Sequence, residues 1–164
     1  PAAGSRPMSA SAAGFVPGSG GAMIVLEDLE TALARGAKIY AEIIGGYVNC
    51  GGQRMSGSMT APNPEGVRRC IRGSMADAGI SAADIDLING HLTATYADPY
   101  EVKSWAAALE RTPEKFPYIQ ATKSLIGHCL GAAGAIECVA SILQLHKGFL
   151  HPSINCDDIH PEIA

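Results

Sequence analysis

At 164 residues the chain is long enough for one domain with a real core, and its 47% hydrophobic content fits a folded rather than a disordered polypeptide. A charged fraction of 17% and a net charge of −4 supply no large field for nucleic acid or an anionic membrane surface, so neither is an expected partner. No apolar run approaches the ~20 residues of a membrane-spanning helix and the N-terminus has no charged-then-apolar leader, so the chain is expected to be cytoplasmic.

Aromatic residues make up only 5% of the chain beside 19 glycines, which predicts the close backbone packing usual in layered enzymes. Cys50, Cys70, Cys129, Cys138 and Cys156 form an odd set without a C-x-x-C pair. Reduced, mostly buried thiols are therefore expected, not a disulfide framework or a zinc ribbon. The absence of an initiator Met before Pro1, and the extended Pro-containing stretch before Ala164, predict a piece of a longer protein.

Residues 1–13, rich in Pro, Ala, Ser and Gly without periodicity, are predicted to be a loose leading segment, with order from residue 14 to 164. The continuous apolar run Ala22-Met-Ile-Val-Leu-Glu27 predicts a strand buried on both faces. Asp28 is placed to cap a helix through Leu29, Ala32 and Leu33, with Gly36 just past its end. Lys38 to Gly45 predicts a second strand, and Asn49 to Pro64 a turn-rich loop. Glu65 opens a helix to about Ala78, with Val67, Ile71, Met75 and Ala78 on one face, and Gly79 ends it. Arg68, Arg69 and Arg72 form a basic group on this helix, for which a solvated helix face is the commoner explanation and an acidic protein partner the other.

Ser81 to Asp84 can form a one-turn capping box, and Ile85 to Asn89 reads as a buried strand delivering Gly90 and His91 at its C-terminal end. Strand ends of this kind are where α/β folds place chemistry. A helix from about Asp98 to Leu109, a short strand at Tyr118 to Gln120 and a last helix from about Gly131 to His146 complete the pattern. That last helix is apolar almost all round, which predicts a core helix. Strands alternating with helices make the class α/β. Gly18 to Gly21 is not a phosphate loop, because no Lys-Ser or Lys-Thr follows and a strand comes next.

The segment from Lys123 to Glu137 places Lys, His and Glu beside residues too small to obstruct anything. Gly127, Gly131 and Gly134 allow close approach, and a helix starting there directs free N–H groups and the positive end of its dipole toward whatever lies beside His128.

Lys123-Ser-Leu-Ile-Gly-His-Cys-Leu-Gly-Ala-Ala-Gly-Ala-Ile-Glu137 resembles the lysine–histidine motif of the β-ketoacyl-acyl-carrier-protein synthases, K-S-x-x-G-H-x-x-G-A-A-G-x-x-E, at every fixed position. Gly14 to Gly18, Ala34 to Glu42, Met59 to Pro62, Asp84 to His91 and His151 to Asn155 also resemble family segments. The resemblance implies a thiolase-like layered fold, of which this chain is the C-terminal half of an αβαβα architecture. It also implies a decarboxylative Claisen condensation in fatty-acid or polyketide synthesis, with acyl carrier protein as partner and a homodimer or a related ketosynthase subunit as the assembly.

In that scheme His91 and His128 are the catalytic histidines, neutral imidazoles donating from Nε2 to a thioester oxygen as an enolate forms. Lys123 stands at the family's lysine beside the site, where its ammonium is expected to order the second histidine, His128. Thr93 and Thr95 match phosphopantetheine-binding threonines, the phosphopantetheine arriving on the carrier so that no separate cofactor is needed. Asn89 and Glu137 match a supporting pair tied to a structural monovalent cation or a buried hydrogen-bond site, and no catalytic metal is implied.

The family's nucleophilic cysteine matches none of the cysteines here, so this chain by itself is expected to be inactive. A non-catalytic subunit of the chain-length-factor type is the alternative, and an isolated binding module a further one. The family reads N-A-H-G-T-x-T where this chain has Asn89-Gly-His-Leu-Thr-Ala-Thr95, and Leu92 is expected to narrow or redirect access to the site. Ser19 stands where an acid is usual.

Overall fold

The computed structural model describes residues 3–51 and 63–164. Its centre is a pair of short parallel strands, β1 (Leu87–Asn89) and β2 (Tyr118–Gln120), in the register Leu87 with Tyr118, Ile88 with Ile119 and Asn89 with Gln120. The pairing continues one residue beyond β1, where Gly90 N–H donates to the Gln120 carbonyl at 2.8 Å. Parallel strands need a crossover between them, here mostly helix. Of the helices α1 (Leu29–Ala34), α2 (Pro64–Ala78), α3 (Asp98–Leu109), α4 (Lys123–Ile126) and α5 (Ala133–Lys147), α3 makes that crossover.

Local signals set the helix ends. Asp28 accepts from Thr31 N–H at 3.0 Å to start α1, and Asn63 accepts from Glu65 N–H at 2.8 Å to start α2. Gly79 closes α2 in the left-handed conformation, φ 65°. Ser81 and Asp84 form the expected capping box over a single 3₁₀ turn. Beneath the ends of β1 and β2, Leu92, Trp105 and Ala121 form the buried core, packed by Ile88, Phe116, Ile119 and Met8.

Several expectations are corrected. Ala22 to Glu27 and Lys38 to Gly45 are not strands among the described residues, and the apolar side chains of the first stand in solvent, Met23 88% and Val25 87% exposed. A strand exists only with a neighbour to complete its hydrogen bonds, and neither segment has one there. For the same reason the α/β layering is represented, among the described residues, by one two-stranded sheet. Helix α5 is not a core helix: only Ala133 and Gln144 are buried in it and Leu145 is 73% exposed, because no described element covers its outer side.

Residues 3–13 are pinned, not loose. Ser5 donates to the Lys123 carbonyl at 2.6 Å, Met8 N–H donates to Asp98, and Ser9 and Ser11 bind Asp158. Polar side chains in this segment supply the order that its composition does not suggest. Most of the predicted loop from Asn49 to Pro64, with the family-like Met59 to Pro62, lies outside the described residues.

Candidate functional site

Two loops converge where β1 and β2 end. The first, Gly90 to Thr95, leaves β1. The second, Gly127 and His128, leaves α4 and lies against residues 16–18, His128 N–H donating to the Val16 carbonyl at 2.7 Å and Gly18 N–H to the His128 carbonyl at 3.0 Å. Gly127 takes φ 74°, and a Cβ there would stand 2.8 Å from the Val16 carbonyl oxygen, so only glycine permits this approach.

The rings of His91 and His128 meet edge to face with centroids 5.2 Å apart and planes at 84°. Each has a donor at Nδ1. Leu130 N–H donates to His128 Nδ1 at 3.1 Å, and the Lys123 ammonium lies 3.4 Å from His91 Nδ1, so the lysine orders the first histidine and not, as expected, the second. A neutral imidazole accepting at Nδ1 carries its proton at Nε2, so both rings are set as Nε2–H donors.

Both rings stay neutral over a wide range. Burial first, then the Lys123 charge and His128, hold His91 at about 4. Burial and the Lys123 charge also hold His128 below its ordinary value, with Glu137 opposing them. Lys123 is only 2% exposed, and its ammonium is paired with the Glu137 carboxylate. A charge buried so deeply persists because it has that partner.

The other expected residues are also brought close. Thr93 and Thr95 share a hydroxyl–hydroxyl hydrogen bond of 3.0 Å. Asn89 donates to the Glu137 backbone carbonyl at 3.2 Å and to Ser141 at 2.9 Å, and accepts from Thr122 at 3.1 Å. Asn89 and Glu137 are thus joined by a hydrogen-bonded strut. The positive charge facing Glu137 is the ammonium of Lys123, and the Asn89 oxygen accepts from Thr122. Among the described residues no group of three or more His, Cys, Asp or Glu could hold a metal ion.

Leu92 is corrected. Its side chain is 0% exposed and packed in the core with Trp105 and Ala121, so it neither narrows nor redirects access. Arg68 and Arg72 are committed within the chain, to Glu65 at 2.7 Å and to Glu110 at 2.9 Å. Cys129 is buried, whereas Cys50 is exposed and Cys70, Cys138 and Cys156 are half-buried, and all are free thiols.

Two acids missed in the sequence shape the site. Asp98, buried at the start of α3, accepts from the backbone N–H groups of Met8 and Thr93 at 2.9 Å and of Ala94 at 3.1 Å. Glu101, one turn on, receives His91 N–H at 2.7 Å and Leu92 N–H at 2.9 Å. Their signal was a pair of acids in the first turn of a helix that directly follows a histidine loop. Asp98→Ala strands these buried donors, and we expect a loss of about 3–5 kcal/mol in urea unfolding of the full-length protein, with Asp98→Asn milder.

Burial raises Glu101 from an ordinary 4.5 to about 7, against its backbone hydrogen bonds. Between those values the folded protein holds a proton that the unfolded chain has released, so this group lowers stability as pH rises. His91 acts oppositely: held at about 4 rather than 6.5, it adds stability as pH rises between them. Glu101→Gln removes only the first effect. The Tm of that variant, measured relative to the parent, is expected to climb from pH 4.5 to 7, and a flat difference would contradict the assignment.

None of the helices among the described residues is long and apolar enough to cross a membrane. A family model described as the beta-ketoacyl synthase C-terminal domain matches residues 40–157. The chain is 42% identical to 3-oxoacyl-[acyl-carrier-protein] synthase I, chloroplastic, of Arabidopsis thaliana, over 100% of its own length and 34% of that protein. It is 44% identical to 3-oxoacyl-[acyl-carrier-protein] synthase 1 of Escherichia coli (strain K12), over 98% of its length and 37% of the relative. It therefore spans about a third of the curated relatives it matches.

Among solved structures, the ishigamide ketosynthase/chain length factor superposes with a TM-score of 0.88 at 38% identity, covering 97% of this chain and 38% of that one. A type II polyketide acyl-carrier protein in complex with its ketosynthase bound to the hexaketide gives a TM-score of 0.84 at 32% identity, covering 99% of this chain and 39% of that one. With residues 40–157 matched and the fold thiolase-like and layered, this chain belongs to the β-ketoacyl synthase family and carries its C-terminal domain.

Proposed function

We propose that the full-length protein is an acyltransferase that condenses an acyl thioester with a malonyl thioester borne on acyl carrier protein, and that this chain supplies the site for enolate formation. The carbon–carbon bond to the malonyl carboxylate breaks, carbon dioxide leaves, and the electron pair moves through the α-carbon onto the thioester oxygen. His91 and His128 donate from Nε2 to that oxygen, and neutral donors suit it better than a carboxylate, which would repel it. The α-carbon then attacks an acyl thioester held on a nucleophile outside this chain, forming the new bond as the thiolate departs.

Lys123 keeps His91 in the donating tautomer through Nδ1 and is itself held by Glu137. Thr93 and Thr95 offer adjacent hydroxyls for the amide groups of a phosphopantetheine arm. The observation that carries this reading is the facing of two Nδ1-anchored imidazoles with centroids 5.2 Å apart. A homodimer, or a pairing with a related ketosynthase subunit, is the proposed assembly, and the solved ketosynthase/chain length factor supports the second of these.

The test is release of labelled carbon dioxide when the full-length protein meets malonyl-carrier protein, together with formation of the 3-oxoacyl product when an acyl thioester is added. Absence of both overturns the proposal. A subunit of the chain-length-factor type is favoured by one observation, the name of a matching structure. It predicts that the full-length protein, offered a labelled acyl thioester alone, takes up no acyl group.

A further inference from the structure

Gly90 and Leu92 flank His91; Gly90 is buried and Leu92 is 0% exposed. Leu92 takes φ 21°, a backbone setting that side chains rarely adopt. Its N–H is fixed by Glu101 at 2.9 Å, and the turn sends its side chain inward onto Trp105 and Ala121. That inward path fills the space beside Gly90. A Cβ on Gly90 would stand 2.5 Å from Trp105 Cη2 and 2.9 Å from both Leu92 Cδ1 and Cγ, nearer than real Cβ contacts come. Relative to the N-A-H-G pattern, the side chain has moved from before the histidine to after it, and both changes occupy one pocket.

We propose that Gly90 and Leu92 form an interlocked pair that positions His91: Leu92, with the Trp105 it packs against, fills the volume a side chain at position 90 would need, so a side chain at 90 and leucine at 92 exclude one another. Leu92 is then a positioning residue, acting on the reaction through the backbone of His91. Its effect on turnover rests on the function proposed above, whereas its effect on the imidazole does not.

The experiment compares the parent full-length protein with Gly90→Ala, Leu92→Gly and the double variant, reading decarboxylation, the His91 titration midpoint from labelled-histidine NMR, and Tm. In Gly90→Ala the loop is pushed outward. Turnover is expected to fall roughly 100-fold with KM little changed, as for a catalytic group displaced by an ångström. The His91 midpoint should rise from about 4 toward 6.5 as the ring moves out of the site and away from the Lys123 ammonium. Adding Leu92→Gly gives Trp105 room to move and is expected to restore both readings. In Tm, Gly90→Ala should cost less in the Leu92→Gly background than in the parent.

An unchanged His91 midpoint in Gly90→Ala overturns the interlock, as does a double variant no better than the sum of the singles. If Gly90→Ala cannot be isolated folded, recovery of the double variant supports the proposal and its failure to fold overturns it. A parent protein without decarboxylase activity removes the proposed function alone, since the midpoint and Tm comparisons still decide the interlock.

Discussion

Replacing His128 with alanine is expected to lower malonyl decarboxylation by the full-length protein about 100- to 1,000-fold, the usual consequence of losing one donor to a developing oxyanion. Acyl transfer onto the protein's nucleophile should remain largely intact, because that step does not use the enolate site. His91→Ala should behave alike, and the double variant should lose less than the product of the two, since both rings serve one oxygen. The contribution of His91 should hold as pH falls through the ordinary histidine range and be lost only toward about 4, where His91 protonates and can no longer accept at Nδ1. Labelled carbon dioxide measured against pH, with the His91 ring followed by labelled-histidine NMR, decides this, and a His91 midpoint of 6.5 would show that the ring is not in the environment described.

The second large effect belongs to the buried pair behind the rings. Glu137→Leu leaves the Lys123 ammonium buried without its partner, and such losses cost about 3–5 kcal/mol. Removing both charges, as Lys123→Met with Glu137→Leu, should cost less than removing the glutamate alone, because no uncompensated charge remains. Urea unfolding of the full-length variants gives the comparison. A Glu137→Leu variant within roughly 0.5 kcal/mol of the parent would mean that the ammonium finds water or another acceptor.

Much of this site was legible in the chain. The run from Lys123 to Glu137 specifies a short helix, a glycine turn, a histidine and a second helix, and these are local events governed by backbone freedom and capping. The same holds for Asn89 at the end of β1, for the α2 boundaries and for the capping box at Ser81. Asp98 and Glu101 were visible only as acids in a first helical turn. Their role depends on a loop curling back to present its N–H groups, which spacing along the chain does not reveal.

The apolar runs at 22–27 and 38–45 illustrate another limit. Their composition suits a strand, but no described segment lies beside them to complete the ladder. Helix α5 shows the same limit on its outer side, where apolar residues meet solvent.

By itself, the sequence determined the order of elements around the site, because glycine placement and helix caps act over a few residues, and its motif carried the resemblance to the family. That Lys123 pairs with Glu137 and faces His91 was decided by the tertiary structure. Only the tertiary structure decided that both imidazoles are anchored at Nδ1, that residues 3–13 are pinned by polar contacts, and that Leu92 turns into the core rather than into the site. Each of these rests on a donor, an acceptor or a space contributed by another part of the chain, and local propensity carries no information about such partners.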